Sequence, residues 1–176
     1  MDMSIFKKKY SSSGNGDKIS GDKKLDLEKL LSSVDINNII IELDNYICEL
    51  CAWGDNLDKL TEEQKNFYFN QNLEREINNG GFNQYFLNSS GDFAHPTVES
   101  LKIIGAHKTA ELLQQAIDQF PDSTVPSNRK MRLELFTQIE KKADPVWQEL
   151  DKMFFAYDDN LNALNINYVR QNKDKF

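Results

Sequence analysis

The chain has 176 residues, of which 39% are hydrophobic and 28% are charged, and its formal net charge is −7. This length and apolar content suffice for one folded domain, and no apolar run approaches the roughly 20 residues that a membrane span needs. An acidic chain repels nucleic acid, because phosphate contacts need clustered Lys and Arg, so direct DNA or RNA binding is not expected.

The charge is unevenly distributed along the chain. Residues 1–30 contain seven lysines and five acids, for a net charge of +2, and residues 31–176 have a net charge of −9. Charged residues also occupy the start, where a secretory signal would place its apolar segment, so we expect a cytoplasmic protein without stable membrane association. The polar, Ser- and Gly-rich composition predicts a disordered tail over residues 1–22 and a single folded domain over residues 23–176.

Helical periodicity begins after the tail. Apolar residues recur every three or four positions from Ile36 to Leu50, which predicts an amphipathic helix over 35–52. Thr61 and Gln64 have the spacing of a capping box and predict a helix that continues to about Asn78. The glycines at 80 and 81 are expected to end that helix.

The second half of the chain also reads as helices. A short helix is predicted from Phe82 to Asn88, another between His95 and Gly105, and a third that Pro121 stops. A helix containing Met131, Leu135 and Ile139 follows. Asp144-Pro145 is typical of an N-cap followed by proline, which predicts a new helix there. Its inner face would be Trp147, Leu150, Phe154 and Tyr157, and a last helix would contain Leu161, Leu164 and Tyr168. The prediction is an all-α, single compact domain of six to eight helices.

Catalytic and metal-binding motifs are absent from the sequence, which predicts a non-enzyme with no cofactor and no metal. Cys48 and Cys51 lack the second cysteine pair of a zinc site and are interpreted as buried structural residues. His95 and His107 do not complete a zinc-finger spacing with them. Glu74 and Glu76 point in different directions on a helix and are expected on a solvated face.

One stretch combines helix-stopping glycines with aromatic residues and amides. Phe82, Tyr85 and Phe86 are spaced to anchor a tight corner by burial, and the amides are suited to satisfying backbone groups at helix ends. The alternative is that a small-molecule or enzymatic cleft lies beside this corner. Its lining would be Asn79, Gln84, Tyr85 and Asn88.

This stretch resembles the DNA-mimic protein family, a bacterial family of all-helical domains that are mostly of unknown function. The resemblance runs from about Ile36 to the C-terminus. It implies a homodimer with no known catalytic residues, in which an acidic surface occupies the DNA-binding face of a transcription regulator. The residues that carry it are Glu74, Glu76, Asn79, Gly80, Gly81, Phe82, Gln84, Tyr85, Phe86, Asn88, Ser89 and Gly91, followed by 104–106 and 120–121.

An acidic patch that binds a partner is predicted in the last third of the chain. Its candidate residues are Glu149, Asp151, Asp158 and Asp159, whereas Asp144 is expected to cap a helix. A basic island interrupts the acidic body and comprises Arg129, Lys130, Arg132, Lys141 and Lys142. A third possibility uses the same electrostatics, namely an immunity or inhibitor protein for a basic toxin or nuclease.

Overall fold

The computed structural model describes residues 25–176, and the predicted tail over 1–22 lies outside the described residues. This part of the chain forms seven α-helices and no strand, which confirms the all-α prediction. The helices are α1 Leu27–Leu31, α2 Ile36–Leu50, α3 Glu62–Leu87, α4 Ala94–Ile103, α5 His107–Ile117, α6 Arg129–Phe154 and α7 Leu161–Gln171. Short 3₁₀ turns join them at Ala52–Gly54, Leu57–Lys59, Ser89–Phe93 and Pro121–Ser123, and a last one is Lys173–Lys175.

Helix α3 is the central element, because it contributes to both hydrophobic clusters of the described chain. Its first half places Phe67, Tyr68 and Phe69 against α1, α2 and α7. Further along, but still before the glycine pair at 80 and 81, the helix places Leu73 and Ile77 among the side chains of α4, α5 and α6. The predicted capping box begins this helix: the Thr61 hydroxyl accepts from the Gln64 N–H at 3.1 Å, and the Gln64 side chain accepts from the Thr61 N–H at 3.0 Å.

The glycine pair breaks α3 without ending it. Gly81 has φ 72° and ψ −171°, a conformation open to glycine alone, and the helix resumes at Phe82. The helix predicted to end near Asn78 and the short helix predicted to begin at Phe82 are therefore the two segments of one interrupted helix. The interruption turns the second half so that Phe82, Tyr85 and Phe86 are all completely buried.

Helix α6 contradicts the prediction that a new helix begins at Asp144-Pro145. It begins after Asn128, whose side chain accepts from the Met131 N–H at 3.1 Å, and runs unbroken through Pro145 to Phe154. Pro145 is exposed, so water can bind the carbonyl that the missing N–H leaves free. Phe136 and Trp147 stack at 5.3 Å on either side of the proline, and their shared burial stabilises the continuous helix.

The predicted inner face of α6 is confirmed for Trp147, Leu150 and Phe154, which are buried. Tyr157 is the exception, because it follows the end of the helix with φ 50° and is 42% exposed. Met131 is also exposed and contributes nothing to the core. The centre of this cluster is Phe86, whose ring lies 4.9 Å from Phe120 and 5.3 Å from Trp147.

Candidate functional site

Two amides and one hydroxyl of the glycine-rich corner converge on one carboxylate, that of Glu76. Its Oε2 accepts hydrogen bonds from Gln84 Nε2 at 2.7 Å and Asn88 Nδ2 at 2.9 Å, and its Oε1 accepts from Ser90 Oγ at 3.2 Å. The break at Gly81 makes this possible, because it folds the second half of α3 back toward the first. Glu76 is half-buried, so the expectation of a solvated face is wrong for it.

Arg132, on α6, also binds the corner. It is completely buried and donates to the carbonyls of Phe86 at 2.8 Å, Asn88 at 2.9 Å and Pro126 at 2.8 Å. Its Nη2 also lies 2.6 Å from Asp92 Oδ1. Arg132, one of the five residues of the basic island, therefore lies in the interior and adds no charge to the surface. The other four members of that island are exposed along α6.

Two acids of α6 hold the restart of α3. Asp151 Oδ1 accepts from the Phe82 N–H at 2.9 Å and so caps the second half of the interrupted helix. Asp144 accepts from Asn83 Nδ2 and from Gln148 Nε2. The prediction that Asp144 caps a helix is wrong, because α6 passes straight through it.

The side chains that would line a cleft beside the corner are largely engaged within the protein. Tyr85 is completely buried, and its hydroxyl donates to Thr97 Oγ1 at 3.1 Å. Gln84 and Asn88 are bound to Glu76, and Asn79 alone of the four is exposed. This geometry favours a structural role for the corner.

A second polar cluster joins α2 to α3. Arg75 Nη2 lies 3.1 and 3.0 Å from the two carboxylate oxygens of Asp44, which is buried. Cys48 Sγ donates to Asp44 Oδ1 at 3.6 Å. Burial, with the Asp44 charge beside it, raises the pKa of the Cys48 thiol to about 12, and burial also raises the pKa of Cys51. Both cysteines are free and completely buried, as predicted, and a protonated thiol is a poor nucleophile.

Glu74 belongs to this cluster, and its titration gives a pH-dependent prediction. Burial, with a smaller contribution from the Asp44 charge, raises the pKa of Glu74 to about 7, so the expected solvated face is wrong here too. A carboxyl group with a raised pKa stabilises the fold fully below its unfolded-state pKa, and that stabilisation is lost as the pH rises through the folded-state pKa. We expect Glu74→Gln to raise the free energy of unfolding at pH 8 by about 2 kcal/mol relative to the wild type.

Urea unfolding at several pH values between 4.5 and 8 measures this effect. The advantage of Glu74→Gln over the wild type should grow as the pH rises across that range. Glu111→Gln, at an exposed position on α5, is the control and should follow the wild type. A constant difference between Glu74→Gln and the wild type would contradict the role given to Glu74.

The four predicted partner-binding acids of the last third do not share one kind of environment. Glu149 pairs with Lys152 at 2.6 Å, and Asp158 pairs with Lys108 at 3.0 Å. Asp159 Oδ2 accepts from the N–H of Thr109 at 2.8 Å and from its hydroxyl at 3.1 Å, at the start of α5. Asp151 caps Phe82, as described above. Each acid thus has a partner within the chain, and a role of the set in binding another protein stays a prediction.

Comparison with known families identifies the family to which this chain belongs. The model of the DMP19-like protein family matches residues 58–172, which is more than half of the chain. The chain belongs to the DMP19-like protein family. No curated protein and no solved structure matches it.

The matched segment contains the glycine-rich corner and α3 to α7 of this DMP19-like chain. It begins at residue 58, whereas the resemblance was expected to begin at about Ile36. Helix α2 and the turn after it therefore precede the segment that the family model matches. None of the helices described is long and apolar enough to cross a membrane.

An acidic surface that the sequence prediction missed lies in this preceding part of the DMP19-like chain and extends to residue 58, where the match begins. Asp35, Glu42 and Glu49 recur every seven residues on α2 and its N-cap, and Asp55 and Asp58 follow in the turns after it. All five are exposed. Residues 30–58 contain six acids and no Lys or Arg, a signal that was available in the sequence.

Proposed function

We propose that this DMP19-like chain is a non-catalytic protein-interaction domain whose α2 surface binds the basic, DNA-reading face of a regulator protein. We define the α2 surface as Asp35, Glu42, Glu49, Asp55 and Asp58. The observation that carries the proposal is that these acids are exposed within a stretch without any Lys or Arg. In the last third of the chain, by contrast, Glu149 and Asp158 pair with lysines. Asp35 and Glu42 of the α2 surface accept hydrogen bonds from the uncharged Asn38.

The spacing of the α2 acids suits such a partner. Seven residues are two helical turns, so successive carboxylates on one face are separated by about 10.5 Å along the axis. That separation corresponds to about three base-pair steps along one DNA strand. Arg and Lys side chains spaced to bind DNA phosphates would therefore find the α2 carboxylates at a similar spacing. The attraction between them would weaken steeply as the salt concentration rises.

A non-catalytic role is supported by how the polar side chains are used. Gln84 and Asn88 bind the Glu76 carboxylate, and Arg132 binds carbonyls of the corner. Both thiols are buried, with pKa values raised by that burial. These groups hold the scaffold and leave recognition to the surface.

Two variants with equal charge changes test the proposal. The α2 variant, Glu42→Gln/Glu49→Gln/Asp58→Asn, removes three of the five charges of the α2 surface. It keeps Asp55, and it spares Asp35 because Asp35 caps α2 by accepting from the Asn38 N–H. Glu111→Gln/Glu134→Gln/Glu140→Gln neutralises three exposed acids on α5 and α6. The wild type and each variant are immobilised, and a lysate of the cells that naturally make the protein is passed over each at about 50 mM salt. Bound proteins are then eluted with a salt gradient to about 300 mM.

We expect the wild type and the α5/α6 variant to retain a basic DNA-binding protein that elutes within the gradient. The α2 variant should retain at most about a tenth as much, because rim charges control the encounter with an oppositely charged surface. Recovery of a nuclease or toxin in place of a regulator would indicate that the chain is an immunity or inhibitor protein. Equal retention by both variants would contradict the use of the α2 surface.

A further inference from the structure

The turn that follows α2 has an unusual backbone. Three successive residues have positive φ: Ala52 at 48°, Trp53 at 58° and Gly54 at 104°. The first two have side chains, and the left-handed conformation costs such residues about 1–2 kcal/mol each. Strain of this size persists only where the surrounding structure imposes it, and it is concentrated at functional positions.

The surrounding structure fixes this turn from its inner side. The carbonyl of Cys51, which is completely buried, accepts from the N–H groups of Gly54 at 3.1 Å and Asn56 at 2.9 Å. Gly54 lies against the ring of Tyr68 on α3, so close that a Cβ at this position would be 2.6 Å from the tyrosine hydroxyl. The core therefore holds both ends of the turn and leaves its middle residue at the surface.

That middle residue is a tryptophan outside both hydrophobic clusters. Trp53 is 58% exposed, whereas the chain's other tryptophan, Trp147, is completely buried. Glu49 precedes the turn, and Asp55 and Asp58 follow it, all three exposed. An exposed aromatic side chain with exposed carboxylates within five residues of it in the chain suits a guanidinium, which stacks on indole while its N–H groups bind carboxylates.

We propose that Trp53 is the anchor of the α2 surface and stacks against an arginine of the bound basic protein. This inference rests on the proposed function and narrows it to partners that present arginine, as DNA-reading surfaces do. The strained turn presents the indole before the partner arrives, so little conformational entropy is lost on binding.

The test uses fluorescently labelled nona-arginine and nona-lysine peptides, which have the same charge. Binding to the full chain is measured by anisotropy at about 50 mM salt, where exposed charges are weakly screened. Trp53→Leu keeps the backbone strain and an apolar side chain but removes the aromatic face, and Trp53→Phe restores an aromatic face. Thermal melts establish that both variants are folded.

We expect the wild type to bind nona-arginine about two- to fivefold more tightly than nona-lysine, the range for an exposed cation–π contact. Trp53→Leu should lose this preference but retain salt-dependent binding of both peptides, and Trp53→Phe should recover part of it. Equal binding of the two peptides by the wild type, or an unchanged preference in Trp53→Leu, would overturn the inference about Trp53. If the α2 variant binds both peptides as well as the wild type does, the proposed function itself fails.

Discussion

Replacing Arg132 by Met should lower the free energy of unfolding by about 4 kcal/mol. The side chain is completely buried, donates to three carbonyls and forms an ion pair with the Asp92 carboxylate. Met approximates its volume but donates no hydrogen bond, so these acceptors are left buried without a partner. Asp92 also loses its ion-pair partner, but its side chain is 29% exposed, so this loss is smaller than the roughly 3–5 kcal/mol typical of a fully buried pair.

Urea unfolding followed by far-UV circular dichroism measures this change. Arg129→Met is the control, since Arg129 lies one turn earlier on α6 and is exposed, and its effect should stay within about 0.5 kcal/mol. Arg132→Lys should lose a substantial part of the stability, because one ammonium cannot reach carbonyls in several directions. If Arg132→Met were as stable as Arg129→Met, the corner would not depend on this side chain.

Replacing Gly81 by Ala should lower the free energy of unfolding by about 3 kcal/mol or more. At φ 72° and ψ −171° an alanine is strained on backbone grounds alone. Its Cβ would also overlap the carboxylate of Asp151, which caps Phe82. Any shift that relieves the overlap breaks that cap, so the two costs add.

Gly105→Ala separates the two contributions. Gly105 also has positive φ, at 86°, but a Cβ there would meet nothing within 4 Å. Its replacement should cost only the backbone strain, about 1–2 kcal/mol in a thermal or urea melt. The double variant Gly81→Ala/Asp151→Ala should lose less than the sum of its two single variants. Equal effects at the two glycines would show that the Asp151 contact is unimportant.

Local features of the fold were predictable because short-range interactions determine them. The apolar stripe of α2, the capping box of Thr61 and Gln64, and the helix end at Gly105 all depend on neighbouring residues, and each is confirmed. The path of α6 through Pro145 was not predictable in this way. It depends on Phe136 and Trp147 packing in one core, a long-range effect that overrides the local proline signal.

The candidate site was likewise predictable only where neighbouring residues determine the structure. The sequence indicated that the glycine-rich stretch forms a corner with buried aromatics, and the three aromatic residues are buried. The burial of Arg132 and the central role of Glu76 were not foreseen, because charged residues are expected at the surface unless a partner is known. Their partners include side-chain amides and backbone carbonyls that follow the break at Gly81 in the chain, so the contacts depend on the folded corner.

The arrangement divides the DMP19-like chain into a scaffold and a surface. The matched segment contains the corner, where Glu76 and Arg132 bind groups within the chain. The α2 surface comes almost entirely from residues before that segment. Variants of the corner therefore test stability and variants of the α2 surface test binding, since function depends on surface residues and not on the fold alone.

Competition with DNA tests the central claim most directly. Proteins of the producing cells are bound to DNA-cellulose, and the wild-type chain is added at constant low salt of about 50 mM, where surface charges interact strongly. If the α2 surface binds DNA-reading faces, the wild type and the α5/α6 variant will release a specific basic protein, and the α2 variant will release little of it. If the wild type releases no protein, or if the α2 variant releases as much as the wild type, the account is contradicted.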